Sequence, residues 1–255
     1  MFTIDISGKT VLVTGAASGI GLGIATQMAK AGANVCGCDI SDDHSAFDAA
    51  VKQYNGESLY IVCDVTKNKG LEHCVQQIIQ KFKGIDILVS NAGANIFTGA
   101  ANTTEEDWQQ NMELNLASHW RLAKLCKPYL EKNNGVIIII TSNHAFSTIP
   151  GCFPYNVTKT ALTGLVRSLA IEWGPLIRTV GIAPGFIDTP GNQKWFDSFM
   201  DAQKERERTI DMHPVKKLGT TEEIGGWCVF LASEYASFAS GTTYLIDGGR
   251  SALMQ

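Results

Sequence analysis

Tyr155 and Lys159 are four residues apart, so on a helix they share a face. A free phenol titrates near pH 10, and using it as a base near pH 7 takes a shift of about 3 units, or about 4 kcal/mol. An adjacent ammonium favours the phenolate and supplies part of that shift. Alone, a Tyr-x3-Lys pair says little, because such spacing arises on many helices. Its weight comes from Ser142, which ends a β-branched run thirteen residues earlier, and from Asn115 in a helical stretch further upstream. A tyrosinate beside a serine hydroxyl can take the proton of a carbinol whose carbon gives up a hydride.

A hydride needs an acceptor, and the N-terminal residues suit one. Thr14-Gly15-Ala16-Ala17-Ser18-Gly19-Ile20-Gly21 follows the first apolar run. Glycine allows a tight turn, a close approach of backbone N–H groups to a pyrophosphate, and close packing of the next helix. That helix N-terminus adds partial positive charge. The spacing is G-x3-G-x-G rather than the general G-x-G-x-x-G. Asp39 lies 24 residues after Gly15, where a carboxylate accepts the ribose hydroxyls of a dinucleotide and repels a 2′-phosphate. No Lys or Arg stands between Gly15 and Met28 or between Ala31 and Val51, so the expectation is NAD(H) over NADP(H).

The elements that must position these residues are legible as short apolar runs, each followed by a helical stretch. They are Thr10–Thr14, Asn34–Asp39, Leu59–Val62, Ile85–Ser90, Val136–Thr141, Thr179–Ala183 and Thr243–Asp247. Continuous rather than alternating apolar residues suit strands covered on both faces. Thr103–Glu106 and Thr220–Glu223 both fit the capping box S/T-x-x-E. Strand–helix alternation over the whole chain predicts an α/β fold, one doubly wound seven-stranded parallel sheet with helices on both faces, as a single domain over 1–255. The least regular segment, Pro184 to Gly219, reads as a lid at about 186–212, and its charge run Lys204–Arg208 as a solvated helix face.

Composition narrows the function. The chain has 255 residues, 21 Lys plus Arg against 25 Asp plus Glu, and a net charge of −4. An acidic chain without a basic patch gives nucleic acid no phosphate-neutralising face. No apolar run approaches the roughly 20 residues of a bilayer span, and the N-terminus carries no signal-like pattern. Seven Cys, with no CxxC and no Cys/His zinc spacing, read as reduced buried thiols in a cytoplasmic protein, with no metal site. The glycine count, 25, is above average, and many glycines fall in the turns named above.

Taken in order, Thr14–Gly21, Asp64-Val65, Asn91-Ala92-Gly93, Asn115, Ser142, Tyr155/Lys159, Pro184-Gly185 and Asp247-Gly248-Gly249 resemble the short-chain dehydrogenase/reductase family in its compact form. The resemblance runs from Thr14 almost to the C-terminus and implies a Rossmann-type NAD-binding domain. It implies Tyr155 as general acid/base, Lys159 lowering its pKa and binding the nicotinamide ribose, Ser142 holding the substrate oxygen and Asn115 anchoring a water of a proton relay. Gly15, Ser18, Gly19, Ile20 and Gly21 would surround the pyrophosphate, with Asp39 and Ile40 at the adenosine ribose and Asp64 and Val65 at the adenine. Asn91, Ala92 and Gly93 would floor the cofactor, and Ile187 and Thr189 would reach the carboxamide and pyrophosphate. Three positions depart from the usual pattern: Thr158 before the lysine, Ser90 before Asn91, and Arg178-Thr179-Val180 before the Pro-Gly turn.

Segments flanking these motifs should line the substrate pocket, which makes Asn95, Ser142, His144, Cys152, Tyr155 and Trp195 the candidates. Asn95, Asn143 and His144 are polar, and polar groups buried without partners cost about 1–3 kcal/mol each. A polyhydroxylated substrate is therefore expected, a sugar or sugar acid, as in an aldose 1-dehydrogenase giving a lactone. Reduction of a 3-oxoacyl thioester or another ketone is the alternative, and a non-catalytic dinucleotide-binding module a distant one. The resemblance also implies a homotetramer, and the C-terminal Ser251–Met254 is compatible with docking on a neighbour.

Overall fold

A computed structural model describes residues 3–253; Met254 of the C-terminal stretch lies outside them. The strands are β1 (Thr10–Thr14), β2 (Asn34–Asp39), β3 (Ser58–Val62), β4 (Ile87–Ser90), β5 (Val136–Ile140), β6 (Arg178–Pro184) and β7 (Thr243–Ile246). The helices are α1 (Gly19–Lys30), α2 (Ser45–Val51), α3 (Asn68–Phe82), α4 (Glu105–Met112), α5 (Ser118–Lys132), α6 (Tyr155–Trp173), α7 (Pro190–Asp197), α8 (Ala202–Asp211) and α9 (Thr221–Ala232). One π turn, Glu113–Ala117, joins α4 to α5.

The strands form one parallel sheet in the order β3-β2-β1-β4-β5-β6-β7. Every residue of β1, β4 and β5 is buried, as their unbroken apolar runs require, whereas the edge strands β3 and β7 are only partly covered. Alternate residues of β1 feed two separate cores. Val11 and Val13 pack with α1, α2 and α9, and Leu12 packs with α3, α5 and α6. The order reverses direction between β1 and β4, and it is outside the carboxyl ends at such a reversal that α/β sheets bind ligands.

Local signals held with small displacements. Thr220 and Glu223 make the expected capping box. The other box sits one residue later than Thr103–Glu106: Thr104 caps α4 and Asp107 returns the bond, while the Thr103 hydroxyl donates to the Gly99 carbonyl. The run Lys204–Arg208 lies on α8, but Arg206 is not simply solvated. It pairs with Asp188 and lies over the Phe196 ring of α7. None of the described helices is long and apolar enough to cross a membrane.

Two glycines let α1 and α9 cross closely. A Cβ on Gly23 would lie 2.4 Å from Thr221 Cβ, and one on Gly225 would lie 2.8 Å from the Gly23 carbonyl oxygen. Gly23→Ala gains up to ~1 kcal/mol of helix propensity but forces backbone apart. The expected net result, read by urea denaturation, is a loss of about 1–2 kcal/mol; a variant as stable as the parent would show that the crossing is loose.

Candidate active site

Gly15, Asn91 and Ser142 follow β1, β4 and β5, so all three stand at one edge of the parallel sheet. The glycine turn is fixed from below, where the Cys38 carbonyl accepts the N–H groups of Gly15 (2.8 Å) and Ala16 (3.2 Å). Gly15 has φ +70°, and a Cβ on Gly21 would lie 2.0 Å from the Gly15 carbonyl oxygen. Helix α1 therefore starts hard against the turn. Its N-cap, Ser18, makes no capping bond and its first turn holds no acid, so its leading N–H groups face outward unneutralised. That cradle fits an anionic pyrophosphate. Ile20 packs against the core behind it, and Thr189 Cγ2 stands 3.7 Å from the position of a Gly19 Cβ, which brings the segment after β6 close to the turn.

Asp39 ends β2 beside this cradle. Its two oxygens accept the N–H groups of Ala17 (3.1 Å) and Ser41 (3.2 Å), which aims the carboxylate and leaves lone pairs for hydroxyl donors. Ile40 is exposed. The Asp39 carbonyl accepts the Cys63 N–H at 2.7 Å, bringing Asp64 and Val65 alongside. Asp64 is held by Thr66, whose N–H and hydroxyl donate to it at 2.9 and 2.7 Å and keep its carboxyl below the usual range despite partial burial. Val65 is buried.

Across the sheet reversal the Thr14 hydroxyl accepts the N–H groups of Asn91 and Ala92, both at 2.9 Å, and Asn91 Nδ2 donates back to the Thr14 carbonyl. A Cβ on Gly93 would meet Asn115 Oδ1 at 2.7 Å and Lys159 Nζ at 3.5 Å, so only glycine passes there. Asn115 is fully buried in the π turn. Its Oδ1 accepts the Ala94 N–H (3.0 Å), and its Nδ2 donates to the Ala94 carbonyl (2.9 Å) and to Asn111 Oδ1 (2.8 Å). Asn111 Nδ2 in turn donates to the Pro154 carbonyl at 2.9 Å, one residue before Tyr155.

Tyr155 opens α6, buried, with Lys159 Nζ 5.5 Å from its ring centre. Burial pushes the phenol up to about 12, and the Ser142 hydroxyl, hydrogen-bonded to it, pulls the other way. The expected lowering by Lys159 does not appear in the protein alone, where loss of water around the ring dominates. Lys159 donates to the Ile140 carbonyl at 3.2 Å, and burial pulls its ammonium down to about 8. Ser142 accepts the His144 N–H at 3.2 Å, which seats it at the head of a short turn.

Among the substrate candidates, His144 lies edge-on to Tyr155 with ring centres 6.0 Å apart, and its Nδ1 meets the Thr148 hydroxyl at 3.0 Å. Cys152 is buried, close enough to Tyr155 to act on its titration. Asn95 is exposed in the loop after β4. Trp195 joins Phe186, Phe196 and Phe199 in an aromatic group in the segment after β6, and its ring contacts among the described residues are with these three. A cavity of about 570 Å³ lies between the residues after β6 and α9, lined by Phe186, Ile187, His213, Trp227 and Phe230 rather than by Ser142 or Tyr155.

Three further residues belong to the site. Phe97 lies edge-on to Tyr155 at 5.2 Å, in a loop that shows no periodicity. Asn111 links Asn115 to the start of α6, and its spacing of four from Asn115 was the available signal. Arg250 follows Gly248-Gly249, has Nη1 buried with no hydrogen-bond partner, and is near enough to His144 to depress its titration after the larger effect of burial.

Residues 15–251 match the family described as enoyl-(acyl carrier protein) reductase. The chain is 38% identical over 250 residues to dehydrogenase/reductase SDR family member 4 of Homo sapiens, covering 96% of this chain and 88% of that one. The chain belongs to the short-chain dehydrogenase/reductase family. Solved members superpose on it closely. An L-sorbose reductase from Gluconobacter frateurii, complexed with NADPH and L-sorbose, has a TM-score of 0.94 at 32% identity, over 99% of this chain and 100% of that one. A 7α-hydroxysteroid dehydrogenase complexed with NADH has 0.89 at 34% identity, over 98% of each. As a member of this family the protein is an oxidoreductase on a fold that binds a nicotinamide dinucleotide, and the cradle, Asp39 and Gly93 fit that group.

Lys159 gives a pH test of its burial. With its pKa lowered from 10.5 to about 8, the unfolded chain binds more protons than the folded one between those values, so this group adds stability as pH rises through that window. Lys159→Met removes the penalty. The variant should melt above the parent at pH 7, by up to roughly 3 kcal/mol, with the gap closing toward pH 10; a constant gap would show the ammonium to be solvated.

Proposed function

We propose that the chain is an NAD-dependent oxidoreductase that oxidises a hydroxyl of a sugar or sugar acid. The observation that carries this reading is the convergence of Ser142, Tyr155 and Lys159, with Asn115 behind them, at the sheet edge that also carries the glycine cradle. The bound dinucleotide supplies the hydride acceptor. Ser142 orients the substrate oxygen, and Tyr155 takes its proton. Lys159, one helical turn on, favours the phenolate and reaches toward the nicotinamide ribose. Asn115 spends both side-chain N–H bonds on Ala94 and Asn111, so a relay water is assigned to its main-chain carbonyl in the π turn, where i→i+5 pairing replaces the usual ladder.

Asp39, with no cation near it in sequence, supports NAD over NADP. Asn95, Asn143 and His144 support a hydroxylated substrate. Arg250 supports its acidic form, because a buried guanidinium N–H without a partner is satisfied by a carboxylate. A second reading, reduction of a 3-oxoacyl thioester or other ketone, has the apolar cavity at the lid base in its favour. A non-catalytic dinucleotide-binding module is the least supported, since the chain carries Asn115, Ser142, Tyr155 and Lys159. We also infer residues 1–255 as one unit with a lid at about 186–212, a homotetramer in the cytoplasm, and no nucleic-acid, membrane or resident-metal role in the reaction.

Turnover on a panel of aldoses, sugar acids, hydroxysteroids and 3-oxoacyl esters separates these readings. Sugars or sugar acids should be the best substrates, with kcat/KM higher for NAD⁺ than NADP⁺; activity confined to the acyl esters would overturn the substrate, and the reverse cofactor order would overturn the role of Asp39. Tyr155→Phe should lower kcat by about 10²–10⁴, and survival of most turnover would refute the mechanism. Arg250→Gln should raise KM for sugar acids while leaving neutral sugars unaffected.

A further inference from the structure

Cys38, Cys63 and Cys74 are scattered in sequence, yet their three sulfurs lie within 4.8 Å of one another. Pairing of β2 with β3 sets Cys38 opposite Ile61, two residues before Cys63, and α3 lays Cys74 against both. All three are buried in an apolar core with Ile61, Val65, Leu71 and Ile78. The ligand set is therefore sulfur alone. Bond lengths near 2.3 Å in a three-coordinate centre put the sulfurs about 4 Å apart, inside the 4.8 Å limit found here. Oxygen-seeking Mg²⁺ and Ca²⁺ find no ligand in such a group, whereas soft ions are selected by thiolates.

We propose that Cys38, Cys63 and Cys74 form a three-thiolate site for a soft divalent ion, and that its occupation weakens dinucleotide binding. Starting from three thiols the exchange is M²⁺ + 3 RSH → M(SR)₃⁻ + 3 H⁺, in which no electron moves and three protons leave to solvent. Zinc, which favours four ligands, is served less well than cadmium or mercury.

The coupling follows from position, and it rests on the reading of Asp39 as the ribose acceptor. The Cys38 carbonyl holds the glycine turn, Asp39 is the next residue, and the Cys63 N–H ties Asp39 to the strand end before Asp64. An ion held by these sulfurs constrains Cys38 and Cys63, whose backbone groups aim both carboxylates.

The test is a titration of the reduced full-length protein with Cd²⁺, followed by the sulfur-to-metal absorption band. One ion per chain is expected, none for Mg²⁺, with the band lost in each of Cys38→Ser, Cys63→Ser and Cys74→Ser and kept in Cys126→Ser and Cys228→Ser. Cadmium NMR of the unsubstituted protein, which reports the number of sulfur ligands, guards against variants that fail to fold. A band that survives loss of a cluster cysteine, or a sulfur count below three, overturns the site. NADH affinity is then measured with and without Cd²⁺. A rise in Kd of about fivefold or more is expected, and an unchanged value overturns the coupling. Failure of the ion-free protein to bind NADH overturns the dinucleotide reading and leaves the ion result standing.

Discussion

One hydroxyl holds the two halves of the sheet in the relation that the site needs. Thr14 Oγ1 accepts two successive backbone N–H groups from Asn91 and Ala92, and the Asn91 amide returns a bond to the Thr14 carbonyl. These bonds cross the gap between the carboxyl ends of β1 and β4, where the strand order reverses. They bring Asn91 Nδ2 so near the glycine turn that a side chain on Gly15 or Gly21 would lie 2.9 or 2.7 Å from it. The turn, the loop beneath it and the start of α1 are thus one packed unit. From its far side Asn115 pins Ala94 by two bonds, which extends the same unit to α6 through Asn111.

The proton-handling pair sits at the end of that chain in a place that disfavours charge. Burial raises the Tyr155 phenol and lowers the Lys159 ammonium, so both groups are pushed toward neutrality by the same absence of water. Lys159 Nζ lies over the Tyr155 ring, 5.5 Å from its centre. A site of this kind stores its reactivity as desolvation, and the fold supports it with bonds to backbone atoms that do not titrate, such as that from Lys159 to Ile140.

The fold was legible because parallel strands buried on both faces read as unbroken β-branched runs, and β1 and β2 match their runs to the residue. Ile85 and Asp86 stand outside β4 because Asp86 turns its carboxylate back to the Thr10 N–H and to Lys9, an exchange between side chain and backbone that hydropathy does not show. Asn115 could be placed in a helix, but the π turn around it has no sequence period of its own. Phe97 lies in an aperiodic loop, and Arg250 gains its meaning only from the position of His144. The cysteine group was hidden for a different reason. Metal-ligand spacings are local patterns, whereas Cys38 and Cys63 are brought together by strand register and Cys74 by the packing of α3 on that edge.

The bare start of α1 has a consequence for the life of the protein. Its leading amides are left without a capping side chain or an acid in the first turn, a cost that falls on the folded state and that an anion relieves. Stability then depends on mass action, gaining about 2.7 kcal/mol at a hundredfold excess of ligand over Kd. Since degradation in cells follows the population of opened molecules, an anion at this uncapped helix would also shield the folded chain from it.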